Sequence, residues 1–120
     1  MASLRLLIVD DVPQVREDLS IALTLAGGIE VVGQASDGQE AVELAARLRP
    51  DVVLMDLEMP VMNGYEAARQ VKARCPACRV VALTVHGDEA ARQKAFQAGF
   101  DDFVVKGAAL ETLLRAILER

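Results

Sequence analysis

The sequence has few of the residues that several kinds of binding site require. Lysine and arginine number 13 against 18 aspartates and glutamates, which gives a formal net charge of -5. Proteins bind nucleic-acid phosphates through clustered lysine and arginine, so we expect no direct nucleic-acid contact. The longest apolar run is also too short to span a bilayer, so we expect no membrane partner.

Cysteine and histidine are equally sparse. Two cysteines are too few for a disulfide framework, and the first residues do not resemble a secretion signal, so we expect a reducing, cytoplasmic location. Cys75-Pro76-Ala77-Cys78 has the spacing of a redox or zinc half-site, but it closes a helix instead of opening one. His86, the only histidine, is too little to complete a zinc site. We therefore interpret the cysteine pair as an incidental feature of a loop.

The remaining composition is that of one globular domain over residues 1–120. Hydrophobic residues make up 52% of the chain, and no low-complexity tract interrupts it. Five apolar runs, each followed by a helical pattern, predict strands at Leu4 to Val9, Ile29 to Val32, Val52 to Met55, Val80 to Val85 and Phe103 to Val105. Continuous apolar strands fit a parallel sheet covered on both faces, so we predict a doubly wound α/β fold and not a barrel.

Capping and periodicity signals predict where helices lie. The clearest predictions are a first helix from Pro13 to Gly27-Gly28, a second from Ser36-Asp37 to Pro50 and a last from about Ala108 to Arg120. On the first helix Ile21 and Leu25 lie outside the inward apolar stripe. We expect both to contact the sheet, with a partner surface as the alternative.

Polar side chains stand where the predicted strands end. They are Asp10 and Asp11 after the first strand, Asp56 after the third, Thr84 on the fourth and Lys106 after the fifth. Because ligands of open parallel sheets bind at the carboxyl ends of the strands, we expect one shared pocket. Clustered carboxylates are stable as anions only near a cation, which favours Mg²⁺, with Mn²⁺ as the alternative. With a divalent ion and one lysine the formal charges cancel, and one carboxylate could accept a phosphoryl group.

These residues resemble the receiver domain of two-component response regulators over essentially the whole chain. The resemblance is carried by Asp10-Asp11, Asp56, Met59-Pro60-Val61-Met62-Asn63-Gly64, Leu83-Thr84 and Ala98-Gly99-Phe100-Asp101-Asp102-Phe103-Val104-Val105-Lys106. It implies a flavodoxin-like, doubly wound (βα)5 fold with a five-stranded parallel sheet in the order 2-1-3-4-5. It also implies a chain that catalyses only its own phosphorylation and dephosphorylation, with a histidine kinase or a histidine phosphotransfer domain as donor.

The resemblance also implies a separate role for each of the acids. Asp56 would be the phosphoacceptor. Asp11, Asp56 and the backbone carbonyl of Glu58 would bind Mg²⁺ directly, and Asp10 would act through a bound water.

Other positions would sense the phosphoryl group. Thr84 and Lys106 would bind its oxygens, and Thr84 and Phe103 would couple it to the surface of helix 4, strand 5 and helix 5. The implied output is transcription through a separate or deleted DNA-binding domain, with homodimerisation upon phosphorylation as a further expectation.

The chain departs from the common family pattern around the site. Gly107 stands where most members have proline, so the loop there should be freer. Val85 stands where many members carry a smaller residue. Both features resemble receivers of the NarL/LuxR-type subfamily. We expect Val85, Glu58 and His86 to control water access and hence the lifetime of the acyl phosphate.

Other functions fit parts of the sequence. A phosphatase of the haloacid-dehalogenase type needs a second acid two residues after its nucleophile, but Val12 and Pro13 stand at that distance. A receiver-like module that takes no phosphate usually lacks an acid or the lysine, and all are present here. The simplest alternative for the acidic pair is that Asp11 only caps the first helix. The chain is either a complete single-domain regulator or a part of a longer DNA-binding protein.

Overall fold

Strands and helices alternate along the chain in the computed structural model, which describes residues 3–119. The strands are β1 Leu4–Val9, β2 Ile29–Ala35, β3 Val52–Asp56, β4 Arg79–Thr84 and β5 Asp102–Val105. The helices are α1 Pro13–Ala26, α2 Gly38–Leu48, α3 Gly64–Arg74, α4 Glu89–Ala98 and α5 Leu110–Leu118. The predicted (βα)5 order is confirmed, although the predicted helix end at Arg120 lies outside the described residues. Within that range, no helix has the length and apolar character needed to cross a membrane.

The five strands form one parallel sheet in the order β2-β1-β3-β4-β5, as predicted for a flavodoxin-like fold. The chain first moves outward from β1 to β2 and then returns to place β3 on the other side of β1. The reversal therefore lies between β1 and β3, where Val9 is paired with Met55. Because the next residues are Asp10 and Asp56, this register brings two carboxylates to the same level at the switch point.

Buried side chains fill both faces of the sheet, which explains why the strands are continuously apolar. One face packs against α2, α3 and α4, whose inward residues are mostly alanines that let the helices lie close to the sheet. The other face packs against α1 and α5, mainly through Leu23, Leu113 and Ile117.

Three helices begin at a side chain that accepts a hydrogen bond from the first turn. Asp37 accepts from the N–H of residue 40 at 2.8 Å, Asn63 from that of residue 66 at 3.0 Å and Asp88 from that of residue 91 at 2.8 Å. Such caps typically contribute about 1 kcal/mol each. The helix α1 has no side-chain cap and begins instead with Pro13, whose fixed φ suits the first turn. The caps of α3 and α4 follow the loops after β3 and β4, so they help to fix those loops.

The expected sheet contacts of Ile21 and Leu25 are wrong. Ile21 is 51% exposed and Leu25 81% exposed, whereas Leu23 between them is fully buried. Successive helical residues are rotated by about 100°, so positions two before and two after a buried residue lie on the opposite side of the helix. Only a narrow stripe of α1 reaches the sheet.

The interpretation of Cys75 and Cys78 as incidental loop cysteines also needs correction. The structure joins them in a disulfide between the end of α3 and the start of β4. The spacing alone could not show this, because pairing depends on how tightly the turn folds.

Candidate functional site

Three carboxylates meet at the carboxyl ends of β1 and β3. Oxygen atoms of Asp10, Asp11 and Asp56 all lie within 4.8 Å of one another. Asp10 is only 1% exposed and Asp56 8% exposed, while Asp11 faces solvent. The fold therefore brings the three acids together, as predicted.

Lys106 supplies the positive charge beside two of these acids. Its Nζ lies 3.0 Å from an Asp10 oxygen and 3.4 Å from an Asp56 oxygen. The backbone N–H of Lys106 donates to the carbonyl of Thr84 at 2.7 Å, which fixes the residue directly after β5 against the end of β4. The cluster holds three carboxylates and this one ammonium, so it is formally negative and suits a further cation.

Burial and charge act against each other on the pKa values of this cluster. Burial raises the pKa of Asp56 above its ordinary value, although the Lys106 charge and the Glu58 N–H pull it down. Burial alone would lower the pKa of Lys106, but its hydrogen bonds and attraction to Asp10 and Asp56 outweigh burial and raise it. Lys106 is therefore a stable cation, whereas the Asp56 anion is only partly compensated.

Backbone donors orient the two buried carboxylates. One Asp10 oxygen accepts from the N–H of Val12 at 2.9 Å, and one Asp56 oxygen accepts from the N–H of Glu58 at 3.3 Å. In each case the other carboxylate oxygen is the one that faces Lys106. The local turns after β1 and β3 therefore aim both acids at the same ammonium.

Glycine is required where the loop after β3 returns to α3. The N–H of Gly64 donates to the carbonyl of Leu57 at 2.8 Å. A Cβ at position 64 would lie 2.3 Å from the backbone oxygen of Asp56, which is closer than atoms can approach. A Cβ at Gly38 would meet the backbone oxygen of Met62 equally closely. The sequence resemblance included Gly64 in a motif, but the close approach itself was missed and had only the Asn-Gly turn signal to suggest it.

Thr84 and Phe103 lie on the neighbouring strands β4 and β5. The Thr84 side chain is buried, and its hydroxyl oxygen accepts from the N–H of His86 at 3.1 Å. Phe103 is paired with Ala82 of β4 and is only 8% exposed. The aromatic ring is therefore packed inward in this structure.

The three residues predicted to control water access lie at the rim of the carboxylate site, on the loops that follow β3 and β4. The Glu58 carboxylate contacts Nε2 of His86, which joins the loops after β3 and β4. Both side chains are largely exposed, and they border a cleft of about 420 Å³ that also reaches Tyr65 and Lys94. Val85 lies just outside β4, which ends one residue earlier than predicted, and is 65% exposed.

Comparison with known proteins identifies the family and the fold of this chain. Residues 6–118 match the family model of the response regulator receiver domain. The chain belongs to the response regulator receiver family. It is 40% identical over 114 residues to the response regulator GacA of Pseudomonas viridiflava, a match that covers 95% of this chain and 53% of GacA.

Solved structures of receivers are also similar to this chain. A LuxR-family two-component response regulator from Aurantimonas superposes with a TM-score of 0.91 at 36% identity, covering 97% of this receiver and 83% of that chain. The signal receiver domain of a NarL response regulator from Mycobacterium tuberculosis gives 0.91 at 33% identity, covering 100% of both chains. The resemblance to the NarL/LuxR-type subfamily is thus confirmed. The chain spans about half the length of the curated relatives it matches.

One contact of this receiver was missed by the sequence reasoning. The guanidinium of Arg16 donates to the backbone carbonyl of Asp10 at 2.7 Å and so braces the turn between β1 and α1. No sequence signal marks Arg16, because the contact depends on where α1 lies against the end of β1. The roles predicted for the side chains of the site remain predictions.

Proposed function

We propose that this receiver takes a phosphoryl group onto Asp56 from a histidine kinase or a histidine phosphotransfer domain. The observation that carries the proposal is the constellation around Asp56: a buried carboxylate at a strand end, a lysine ammonium 3.4 Å away and two further acids within 4.8 Å. Lysine and a metal-binding acidic cluster are the groups that phosphoryl transfer needs to neutralise developing charge.

The transfer step follows from the positions of these groups. An Asp56 oxygen forms the new P–O bond while the P–N bond of the donor phosphohistidine breaks, and the imidazole leaves with the electron pair of that bond. Lys106 then faces a phosphoryl oxygen in place of the Asp56 carboxylate. The Thr84 hydroxyl already accepts from the His86 N–H, so its own proton is free to donate to another phosphoryl oxygen.

The acidic cluster fits a divalent cation by the chemistry of its donors. Carboxylate oxygens are the ligands that Mg²⁺ prefers, and Mn²⁺ accepts the same set. Asp11 and Asp56 would hold the ion directly with the backbone carbonyl of Glu58, and Asp10 would hold it through water. When bound, the ion would offset the negative charge that Lys106 alone leaves uncompensated.

A small phosphodonor tests the proposal without a kinase. The receiver is incubated with Mg²⁺ and acetyl phosphate, and the intact mass is measured for wild type, Asp56→Asn and Asp18→Asn. Asp18 is an exposed acid of α1 and serves as the matched control. We expect one phosphoryl adduct in wild type and Asp18→Asn and none in Asp56→Asn. An adduct that persists in Asp56→Asn, or no adduct in any protein, would contradict the proposal, and rapid turnover of varied phosphate esters would indicate a phosphatase.

We also propose that Thr84 and Phe103 transmit phosphorylation to the surface of α4, β5 and α5. Thr84 lies at the end of β4 opposite Val105 of β5, two residues beyond Phe103 on that strand. A movement of the threonine towards a phosphoryl oxygen would therefore change the packing of β5 directly. NMR spectra with beryllofluoride and Mg²⁺ should show shifts of Phe103 and of that surface. Unchanged resonances there, with Asp56 occupied, would rule the coupling out.

The proposed output is transcription, with homodimerisation upon phosphorylation. The likeness to the transcriptional regulatory protein LnrK of Bacillus subtilis supports a transcriptional role. The formal net charge of -5 does not suit DNA phosphates, so any DNA contact would come from another segment. Light scattering with and without beryllofluoride measures the oligomeric state, and a receiver that stays monomeric when activated would contradict the homodimer.

A further inference from the structure

The turn between α3 and β4 carries a pair of cysteines that phosphotransfer does not use. Cys75 follows the last residue of α3, Cys78 precedes the first residue of β4, and their Cα atoms lie 5.5 Å apart within one disulfide. The strand β4 runs from this turn to Thr84, so the cysteines lie at the end of the sheet opposite the carboxylate site.

Backbone hydrogen bonds form this turn independently of the sulfur atoms. The Cys75 N–H donates to the carbonyl of Val71 at 2.7 Å, and the Cys78 N–H donates to the carbonyl of Cys75 at 3.0 Å. The side chain of Lys72 also stabilises the turn, because its Nζ donates to the backbone carbonyl of Cys78 at 2.9 Å. Two thiols held in this way can form a disulfide without a large backbone movement, which favours closure over reaction with a separate molecule.

The surroundings of Cys78 also suit the reduced form. Its sulfur lies 3.0 Å from the backbone carbonyl oxygen of Pro50. The sulfur of a disulfide carries no hydrogen, but a thiol at the same place could donate one to that carbonyl. The oxidised form therefore has the covalent S–S bond, and the reduced form has a hydrogen bond in its place. The fold accommodates both states.

Other roles for the pair fit less well. In the described part of the chain, no third histidine, cysteine or carboxylate joins the two sulfurs in a group that could hold zinc. Neither sulfur lies at a helix N-terminus, where reactive thiolates are stabilised, because Cys75 is at the C-terminal end of α3. Cys75 is 5% exposed and Cys78 1% exposed, so an outside molecule reaches the sulfurs only when the turn opens locally. The pair is therefore suited to slow oxidation and reduction by other molecules and not to catalysing exchange itself.

We propose that Cys75 and Cys78 form a reversible oxidation site whose disulfide fixes the turn between α3 and β4. In the oxidation step the two S–H bonds break and one S–S bond forms. Two electrons and two protons pass to an external disulfide of the glutathione type, which leaves as two thiols. Disulfides in proteins of reducing compartments are mostly transient bonds of this kind.

A redox titration of the full chain tests the site. The protein is equilibrated with reduced and oxidised glutathione over a series of ratios, quenched with acid, unfolded and alkylated, and its intact mass is measured. We expect wild type to pass in one step from two alkylated thiols to none, without a stable glutathione adduct, and dithiothreitol to reverse the change. The matched controls Cys75→Ser and Cys78→Ser can form only a glutathione adduct. Two alkylated thiols in the most oxidising buffer, or glutathione adducts in wild type, would overturn the proposal.

A second measurement addresses the turn itself. Closing so short a loop should raise the melting temperature of the oxidised form by roughly 5 °C over the reduced form. The amides of Cys75 and Cys78 should exchange with deuterium more slowly once oxidised. The double variant Cys75→Ser/Cys78→Ser should show neither effect in the same two buffers. Equal melting and equal exchange of the two wild-type forms would refute the fixing of the turn.

Discussion

Replacing the phosphoacceptor with its neutral isostere should make this receiver more stable. Asp56 is 8% exposed, and burial raises its pKa above the ordinary value. The raised pKa means that the folded protein disfavours the ionised carboxylate relative to the unfolded chain. Asp56→Asn removes that charge and keeps one oxygen that can still accept a hydrogen bond.

The size of the effect follows from the contacts of Asp56. With an effective dielectric constant of about 20, Lys106 at 3.4 Å attracts the Asp56 carboxylate by about 5 kcal/mol. At the same dielectric constant, Asp10 with an oxygen within 4.8 Å repels it by about 3 kcal/mol or more. The net attraction is then at most about 2 kcal/mol, less than the several kcal/mol that burial of an ion costs. We therefore expect Asp56→Asn to raise the free energy of unfolding by about 1 kcal/mol at pH 7.

The pH dependence has a defined sign. Because the folded pKa of Asp56 lies above the unfolded value, the destabilisation is fully present above the folded pKa. It fades as the pH falls through that value and is lost below the unfolded pKa of about 3.9, where the carboxyl group is protonated in both states. Urea unfolding in EDTA at pH 7 and near pH 3 measures this for wild type, Asp56→Asn and the control Asp18→Asn. A variant less stable than wild type at pH 7, or a gain equal at both pH values, would refute the reasoning.

Three further changes test other parts of the site. Gly64→Ala should lower the free energy of unfolding by about 1–3 kcal/mol, measured in urea, because its Cβ would meet the backbone oxygen of Asp56 at 2.3 Å. Asp11→Ala should weaken Mg²⁺ binding at least tenfold in calorimetry and slow phosphorylation, and unchanged affinity would remove it from the metal site. Val85→Ala should shorten the acyl-phosphate half-life by opening the rim of the site to water, whereas the exposed α1 control Leu25→Ala should leave the half-life unchanged. Equal half-lives of wild type and Val85→Ala would show that Val85 does not control water access.

Much of the fold was predictable because its signals are local. Continuous apolar runs mark strands buried on both faces, and Asp37 and Pro13 mark helix starts that the structure confirms. The meeting of Asp10 and Asp56 was also predictable, since parallel strands bring their carboxyl ends to one edge of the sheet.

Features that depend on tertiary packing or on the exact closure of a turn were not predictable. Periodicity places Ile21 and Leu25 outside the inward stripe of α1, but it does not show how far around the helix the sheet reaches, so their exposure was missed. The disulfide between Cys75 and Cys78 was missed because the turn that brings the sulfurs together is held by backbone contacts.

The sequence by itself determined the order of strands and helices, the doubly wound class and the set of polar residues at the strand ends. Only the tertiary structure decided how those residues pair: Lys106 reaches Asp10 across 96 positions of sequence, and Gly64 lies against the Asp56 backbone. The physical reason is the distance along the chain over which each effect acts. Periodicity and capping act over a few residues, whereas burial and charge compensation depend on which elements the folded chain places side by side.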